Sequence, residues 1–347
     1  MKRTLSALAL MSSGILLTGC GGSSTSSNDS NSNSDSRINI EIPFKAVAGD
    51  QAIKCGEIIT GLGTGSSSET GVGTDVKISN FRMFVHDINL ITDQGIKIPV
   101  TLDANRDGQN ADVALLDFRD TADITTDTEG NVNTEICPQT TSDTTGVNPN
   151  YNDTVIGSVS IDPAYTISSI QFTLGVPFDL NHKDQAAAEE PLRNPGLASG
   201  MTWNWQGGYK FVGFDVMPEG GISLSDGTTG NKWNIHLGST GCEVNPDPNA
   251  YEETEEVPEV TPCGAPNRPT ITLPINAVAL NDAAIQIDYA KLISDNNLSV
   301  DDGVKAGCVS FVDDPECAGV FENLGLSWKN SVPQAQTVFT IVDGSND

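Results

Sequence analysis

Three histidines, a tryptophan pair and seven cysteines carry most of the chemistry open to this 347-residue chain. Neutral imidazole suits transition metals, yet a lone histidine is as often a packed or surface residue, so the context of His86, His182 and His236 decides. His182 stands in the polar segment Pro177–Asp184 (PFDLNHKD), a loop leaving a strand, where neighbouring Asp and Asn can orient its ring. His236 alternates with Trp233, Ile235 and Leu237 and therefore points away from the face those residues bury. His86 falls on one strand face with Phe84 and Ile88, where a satisfied core histidine competes with a ligand. Trp203 and Trp205 are two apart; on a strand they face one side, as a core aromatic ladder or a platform for sugar rings would require.

Asp103, Asn105 and Asp107, followed by Gly108 and Asp112, match the first half of a calcium loop. Ala114 stands where that loop needs its closing Glu, and the segment runs into a strand, so a plain Asp/Asn/Gly turn is preferred over a calcium site. Nucleophile elbow, P-loop, H-E-x-x-H and C-x-x-C-H haem attachment are all missing from the sequence. The reading is therefore of a binding protein and not an enzyme, with no haem in this chain.

The cysteines and the N-terminus set the compartment. Lys2 and Arg3 precede an apolar run from Leu5 to Leu17, and Leu17-Thr18-Gly19-Cys20 closes it. Residues 1–19 read as a signal peptide whose last residues resemble a bacterial lipobox, which implies lipidation of Cys20. Gly follows at position 21 where an Asp would retain the protein at the inner membrane, so the expectation is an outer-membrane lipoprotein facing the periplasm or the cell surface. Residues 20–36 are the lipidated Cys and a Gly/Ser/Asn/Asp tether without apolar residues to order it. Residues 37–347 form the folded domain. Its six cysteines, Cys55, Cys137, Cys242, Cys263, Cys308 and Cys317, are an even number in an exported chain, and three disulfides are the default. Six cysteines allow 15 connectivities. Short loops favour Cys242 with Cys263 and Cys308 with Cys317, leaving Cys55 for Cys137.

What positions these residues is a set of strands. Charged residues are 18% of the chain and its polarity comes mainly from Gly, Ser, Thr, Asn and Asp, a composition of strands and loops. Ile38, Ile40, Ile42 and Phe44 alternate with polar or Pro residues, and Val76–Ile91 is apolar on both faces, as a central strand would be. Further strands are expected at 96–102, 113–118, 155–161, 167–174, 209–217, 232–237, 270–273 and 285–293, with short helices at 185–190 and 315–324, the second capped by Asp314. The predicted fold is all-β: an antiparallel β-sandwich with long, disulfide-stapled loops at 119–153 and 244–262. A net charge of −28 repels phosphate backbones, so nucleic acid is excluded as a partner.

Seven segments in one order carry a family resemblance: Phe81–Asp87 (FRMFVHD), Val113–Phe118 (VALLDF), Phe172–Phe178 (FTLGVPF) with Asn181-His182, Trp203–Phe211 (WNWQGGYKF), Asn234–Cys242 (NIHLGSTGC), Asn267–Pro269 (NRP) and Cys317–Leu326 (CAGVFENLGL). Together they resemble the MbnP-like family, the four-Cys proteins of metallo-mystery pair systems. The resemblance implies an exported copper-binding β protein whose partner is a MauG-like di-haem cytochrome of the cytochrome c peroxidase family. It implies that the partner oxidises a tryptophan to kynurenine, and that histidines bind copper together with that residue. His182 and His236 match the family's ligand positions, Trp203 and Trp205 its paired tryptophans, and His86 matches less well. The alternative drawn from the residues alone is a surface-anchored glycan-recognition module stacking sugars on Trp203 and Trp205.

Overall fold

The computed structural model describes residues 36–54, 57–63, 73–119, 151–243, 260, 262–275, 278–303, 305–311 and 313–344. Residues 1–35, where the signal peptide, the lipidated Cys20 and the tether are expected, lie outside the described residues, as do Cys55, Cys137 and most of the two long insertions. Among the described residues no helix is long and apolar enough to cross a membrane.

Period-2 patterning gives two packed sheets. In the first, the strand Ser36–Ala48 lies between Ala283–Asp288 and Thr154–Ile161, with Phe339–Asp343 and Thr101–Leu102 at the flanks. In the second, the order runs Thr270–Pro274, Ile167–Leu174, Thr74–Thr92, Val212–Pro218, Trp233–Leu237, Gly307–Cys308, and three shorter strands also pair with Thr74–Thr92. Phe44 of the first sheet meets Phe172 of the second edge-on at 5.6 Å, and Phe172 in turn meets Phe339 at 5.4 Å. Ile40, Ile42 and Phe44 are buried as the alternation requires, whereas Ile38 stays 49% exposed. The sandwich is as expected and mostly antiparallel, but Ser36–Ala48 pairs parallel with Ala283–Asp288, and Trp233–Leu237 parallel with Gly307–Cys308.

Val76–Ile91 lies within the 19-residue strand Thr74–Thr92, whose middle is buried on both faces. One face joins the main core through Phe81, Met83 and Val85; the other builds a second cluster around Phe84. The pairing slips between His86 and Asn89, where Asp87 takes φ 48°. This bulge moves the chain across the sheet, so Ile88 packs in the main core while Phe84 lies in the outer cluster. His86 therefore does not share a face with Ile88.

Three local expectations differ from the structure. Residues 185–190 are turns, and the short helix lies earlier, at Phe178–Asn181. The strand expected at 285–293 ends at Asp288, whose carboxylate accepts from the amides of Ala290 and Lys291 and starts a helical turn, Tyr289–Leu292. The helix Cys317–Asn323 forms, but Asp314 does not cap it: its Oδ1 takes the Glu316 amide and its Oδ2 the Val309 amide, pinning the loop ahead of the helix.

Two disulfides close the expected short loops, Cys242–Cys263 and Cys308–Cys317. The second is fully buried; both cysteines of the first are half-buried.

Candidate metal centre

The outer face of the larger sheet is covered by residues 175–211, which have little regular structure and are held by a small apolar cluster. Val176, Leu192, Ala198, Met201, Tyr209 and Phe211 pack on Phe84, Val113 and Leu115. The buried Tyr209 hydroxyl donates to the Leu192 carbonyl at 2.7 Å. A tight hairpin closes the segment: Trp203 N donates to Gly208 O at 2.9 Å, and Lys210 N to Met201 O at 2.8 Å. Gly208, at φ 75°, lies against Asn181, where a Cβ would have no room.

His182 follows the helical turn Phe178–Asn181 and is 8% exposed. Its proton position follows from its neighbours. Asn181 Oδ1 accepts from Tyr209 N at 3.0 Å, which fixes the amide and turns Nδ2 toward His182 Nε2, 3.0 Å away. His182 Nδ1 lies 3.2 Å from the Trp205 carbonyl, an acceptor only, so Nδ1 carries the hydrogen and Nε2 a lone pair. Burial, and then the positive charge of Arg268, hold the imidazole pKa below its usual value against the raising effect of the Trp205 bond. It is thus neutral at pH 7, as a ligand must be. Cys263 Sγ lies 3.5 Å from Nε2.

His86 is anchored in a comparable way, and His236 is not. His86 Nδ1 lies 2.9 Å from the Gly175 carbonyl, which leaves Nε2 with its lone pair; burial lowers its pKa most, and Arg268 lowers it further. His236 Nε2 lies 2.8 Å from Asp215 Oδ1, but its N–H is not aimed at the oxygen, so the contact is electrostatic and not a hydrogen bond. Nδ1 is the ring nitrogen turned away from that carboxylate. A ring nitrogen held by an oxygen, with the other free, is the usual outer-shell arrangement of metal-binding histidines. The pattern Trp233, Ile235, Leu237 buried and His236 half-buried follows the alternation.

Arg268 is the electrostatic link between His86 and His182. Its Nε donates to the Val176 carbonyl at 2.6 Å and its guanidinium lies 4.7 Å over the Phe211 ring. Burial pushes its pKa down to about 10, so it remains charged.

Trp203 and Trp205 lie on the hairpin, not on a strand, so the alternation that would align their rings does not apply. The Trp203 ring covers Gly238, where a Cβ would overlap it. Trp205 reaches His182 through its backbone carbonyl. Asp103, Asn105, Asp107 and Asp112 lie on exposed turns, and Asp112 directly precedes Val113, the strand partner of His86. There Asp103 Oδ1 is occupied by the Asn105 amide and side chain, both at 3.1 Å, as in a plain Asx turn.

Among the described residues, one group of three metal-capable side chains has donor atoms within 4.8 Å of one another: His182, Cys242 and Cys263. His86 and His236 lie outside it. Proximity overstates this trio, because Cys242 and Cys263 are bonded to each other and a thiolate, not a disulfide sulfur, is the strong metal ligand. With that bridge intact, His182 Nε2 is the donor this trio offers.

Arg268, Asp215 and the carbonyls of Gly175 and Trp205 were not singled out in the sequence as parts of a site. Arg268 and Asn181 do fall inside the quoted NRP and Asn181-His182 segments, and Asp215 shares the His236 face of the neighbouring strand. A backbone carbonyl leaves no residue-type signal.

A family model described as MbnP matches residues 37–310. Among solved structures, MbnP from Methylosinus trichosporium superposes with a TM-score of 0.67 at 28% identity, over 89% of this chain and 100% of that one. No curated protein matches. The family match spans the larger sheet, the first sheet apart from Phe339–Asp343, the capping segment, all three histidines and the Cys242–Cys263 disulfide. The chain belongs to the MbnP family, and so to the metal-related proteins that act with a partner in metallo-mystery pair systems.

Proposed function

We propose that this chain is an exported lipoprotein that holds copper through histidine nitrogens and an oxidised tryptophan, and that it works in copper acquisition or redox handling with a di-haem cytochrome. The observation that carries the reading is the state of His182: neutral, with its Nδ1 hydrogen tied to the Trp205 carbonyl and its Nε2 lone pair taken by the Asn181 amide, a donor that a metal would displace. The nearest candidate for modification is thus joined to the leading ligand. His236 Nδ1 and His86 Nε2 are the further donors. Copper when bound supplies a one-electron couple and favours imidazole nitrogen. Asn181 and Arg268 are this chain's own controls on it, one by occupying the lone pair and one by charge. The net charge of −28 suits attraction of a cationic cytochrome, weakening as salt rises. The signal-like N-terminus and Cys20 support a lipid-anchored location at the outer membrane.

Glycan stacking has less support, because the Trp203 ring packs onto Gly238 and the pair lies on a hairpin, not on a strand that would align the two rings. Electron paramagnetic resonance of the Cu(II)-loaded, dialysed chain tests the reading. Nitrogen hyperfine splitting that is lost or reduced in His182→Ala supports it; a signal from oxygen ligation only, identical in the variant, rejects it.

A further inference from the structure

The Cys242–Cys263 bridge sits where it can change what His182 is able to bind. His182 Nε2 lies 3.5 Å from Cys263 Sγ, and the donor atoms of His182, Cys242 and Cys263 all fall within 4.8 Å of one another. The bridge is also tied to the tryptophan hairpin: Gln206 Nε2 donates to the Cys242 carbonyl at 3.4 Å, beside the Trp205 carbonyl that holds His182. Accessibility separates it from the other described disulfide. Cys308 and Cys317 are 0% exposed, whereas Cys242 and Cys263 are half-buried and open to a reductant.

We infer that Cys242, Cys263 and His182 form a redox-gated metal site: the disulfide keeps it closed, and two-electron reduction opens a two-sulfur, one-nitrogen set for a soft closed-shell cation such as Cu(I). The inference goes beyond the copper reading above, which concerns the disulfide-intact chain and its nitrogen donors. In the opening step a dithiol reductant gives up two electrons and two protons and closes its own disulfide. The Cys242–Cys263 S–S bond breaks and two thiols form. The cation then displaces the thiol protons, because thiolate is the ligating form, and His182 enters through Nε2 as a neutral donor. Thiolate sulfur prefers Cu(I), whereas the imidazole donors left to the oxidised chain also accept Cu(II). The same locus would thus change its metal preference with the state of one bond.

The test uses the full mature chain, reduced anaerobically with a water-soluble phosphine, desalted, and titrated with Cu(I) against a chromophoric Cu(I) chelator. The reduced protein is expected to take up one more Cu(I) than the oxidised protein, or to bind it at least tenfold more tightly. Cys242→Ser/Cys263→Ser under the same treatment is expected to lose that gain, and His182→Ala to weaken it about tenfold. Should the variants fail to fold, alkylation of the wild type with peptide mapping decides alone: Cu(I) should protect Cys242 and Cys263 from iodoacetamide. Equal Cu(I) binding before and after reduction, or no protection of these two cysteines, overturns the inference. Copper bound by the untreated protein is a separate measurement, so failure here leaves the nitrogen-donor reading to its own test.

Discussion

Asn181 and His182 are sequence neighbours whose side chains also meet: Nδ2 of the first lies 3.0 Å from Nε2 of the second, and the amide cannot turn because its oxygen takes the Tyr209 amide. The donor that occupies the histidine lone pair is thus supplied by the chain itself and must yield to a metal. Asn181→Asp keeps an acceptor for Tyr209 and puts a carboxylate against Nε2. It should raise the His182 pKa and move its proton to Nε2, weakening copper binding about tenfold for each unit of rise where the ring is protonated. Nitrogen-15 shifts of the imidazole check this; an unchanged tautomer and affinity would show that Asn181 has no such control.

Arg268 lowers the pKa of both His86 and His182, after burial in each case. Arg268→Gln should therefore raise both, by proton titration followed with NMR, and shift half-maximal copper binding to higher pH. The loss of the contact over Phe211 should also cost about 0.5–2 kcal/mol of stability.

The β framework was legible because alternation is a direct imprint of a two-faced sheet. Ile40, Ile42 and Phe44, the doubly buried Thr74–Thr92 strand and the half-buried His236 all follow from it. Alternation fails where backbone geometry intervenes. The bulge at Asp87 reverses faces between Phe84 and Ile88, and the Asp288 cap turns a strand-like apolar run into helix. The candidate site was legible as residue types, His182 and the Trp203/Trp205 pair above all, whereas the spacing of the pair reads as a strand and the structure folds it as a hairpin. The carbonyls that set the histidine protons are backbone atoms, and the Arg268 link arises only when residues 86, 182 and 268 are brought near one another.

His86 and His182 have folded pKa values below the ordinary value of 6.5, so the stability they contribute is present above that pH and lost as pH falls through their folded values. Glu316 runs the other way. Its carboxylate takes the Trp233 indole N–H and the Gly307 amide, but burial pushes its pKa from 4.5 up to about 7. Its contribution is therefore complete below 4.5 and lost as pH rises through about 7. In urea unfolding, Glu316→Gln should compare more favourably with wild type at about pH 8 than at about pH 5. A difference that does not change with pH would contradict this role for burial.

Gly238 leaves room for the Trp203 ring, and its amide and carbonyl are held by Ser310 and Asn267. Gly238→Ala should push the ring away, lower stability by about 1–3 kcal/mol and shift tryptophan fluorescence toward the red. An unmoved emission spectrum would mean that Trp203 has space the structure does not give it.

Central to the proposal is copper held by histidine nitrogens, those of His182 and His236 above all. Copper retained per mole of exhaustively dialysed mature protein, compared between wild type and His182→Ala/His236→Ala, tests it most directly. Close to one copper is expected in the wild type, and its loss in the double variant. Equal retention by both would assign the metal to surface carboxylates and contradict the claim. No retention by the wild type, even after co-expression with a di-haem cytochrome, would contradict it equally.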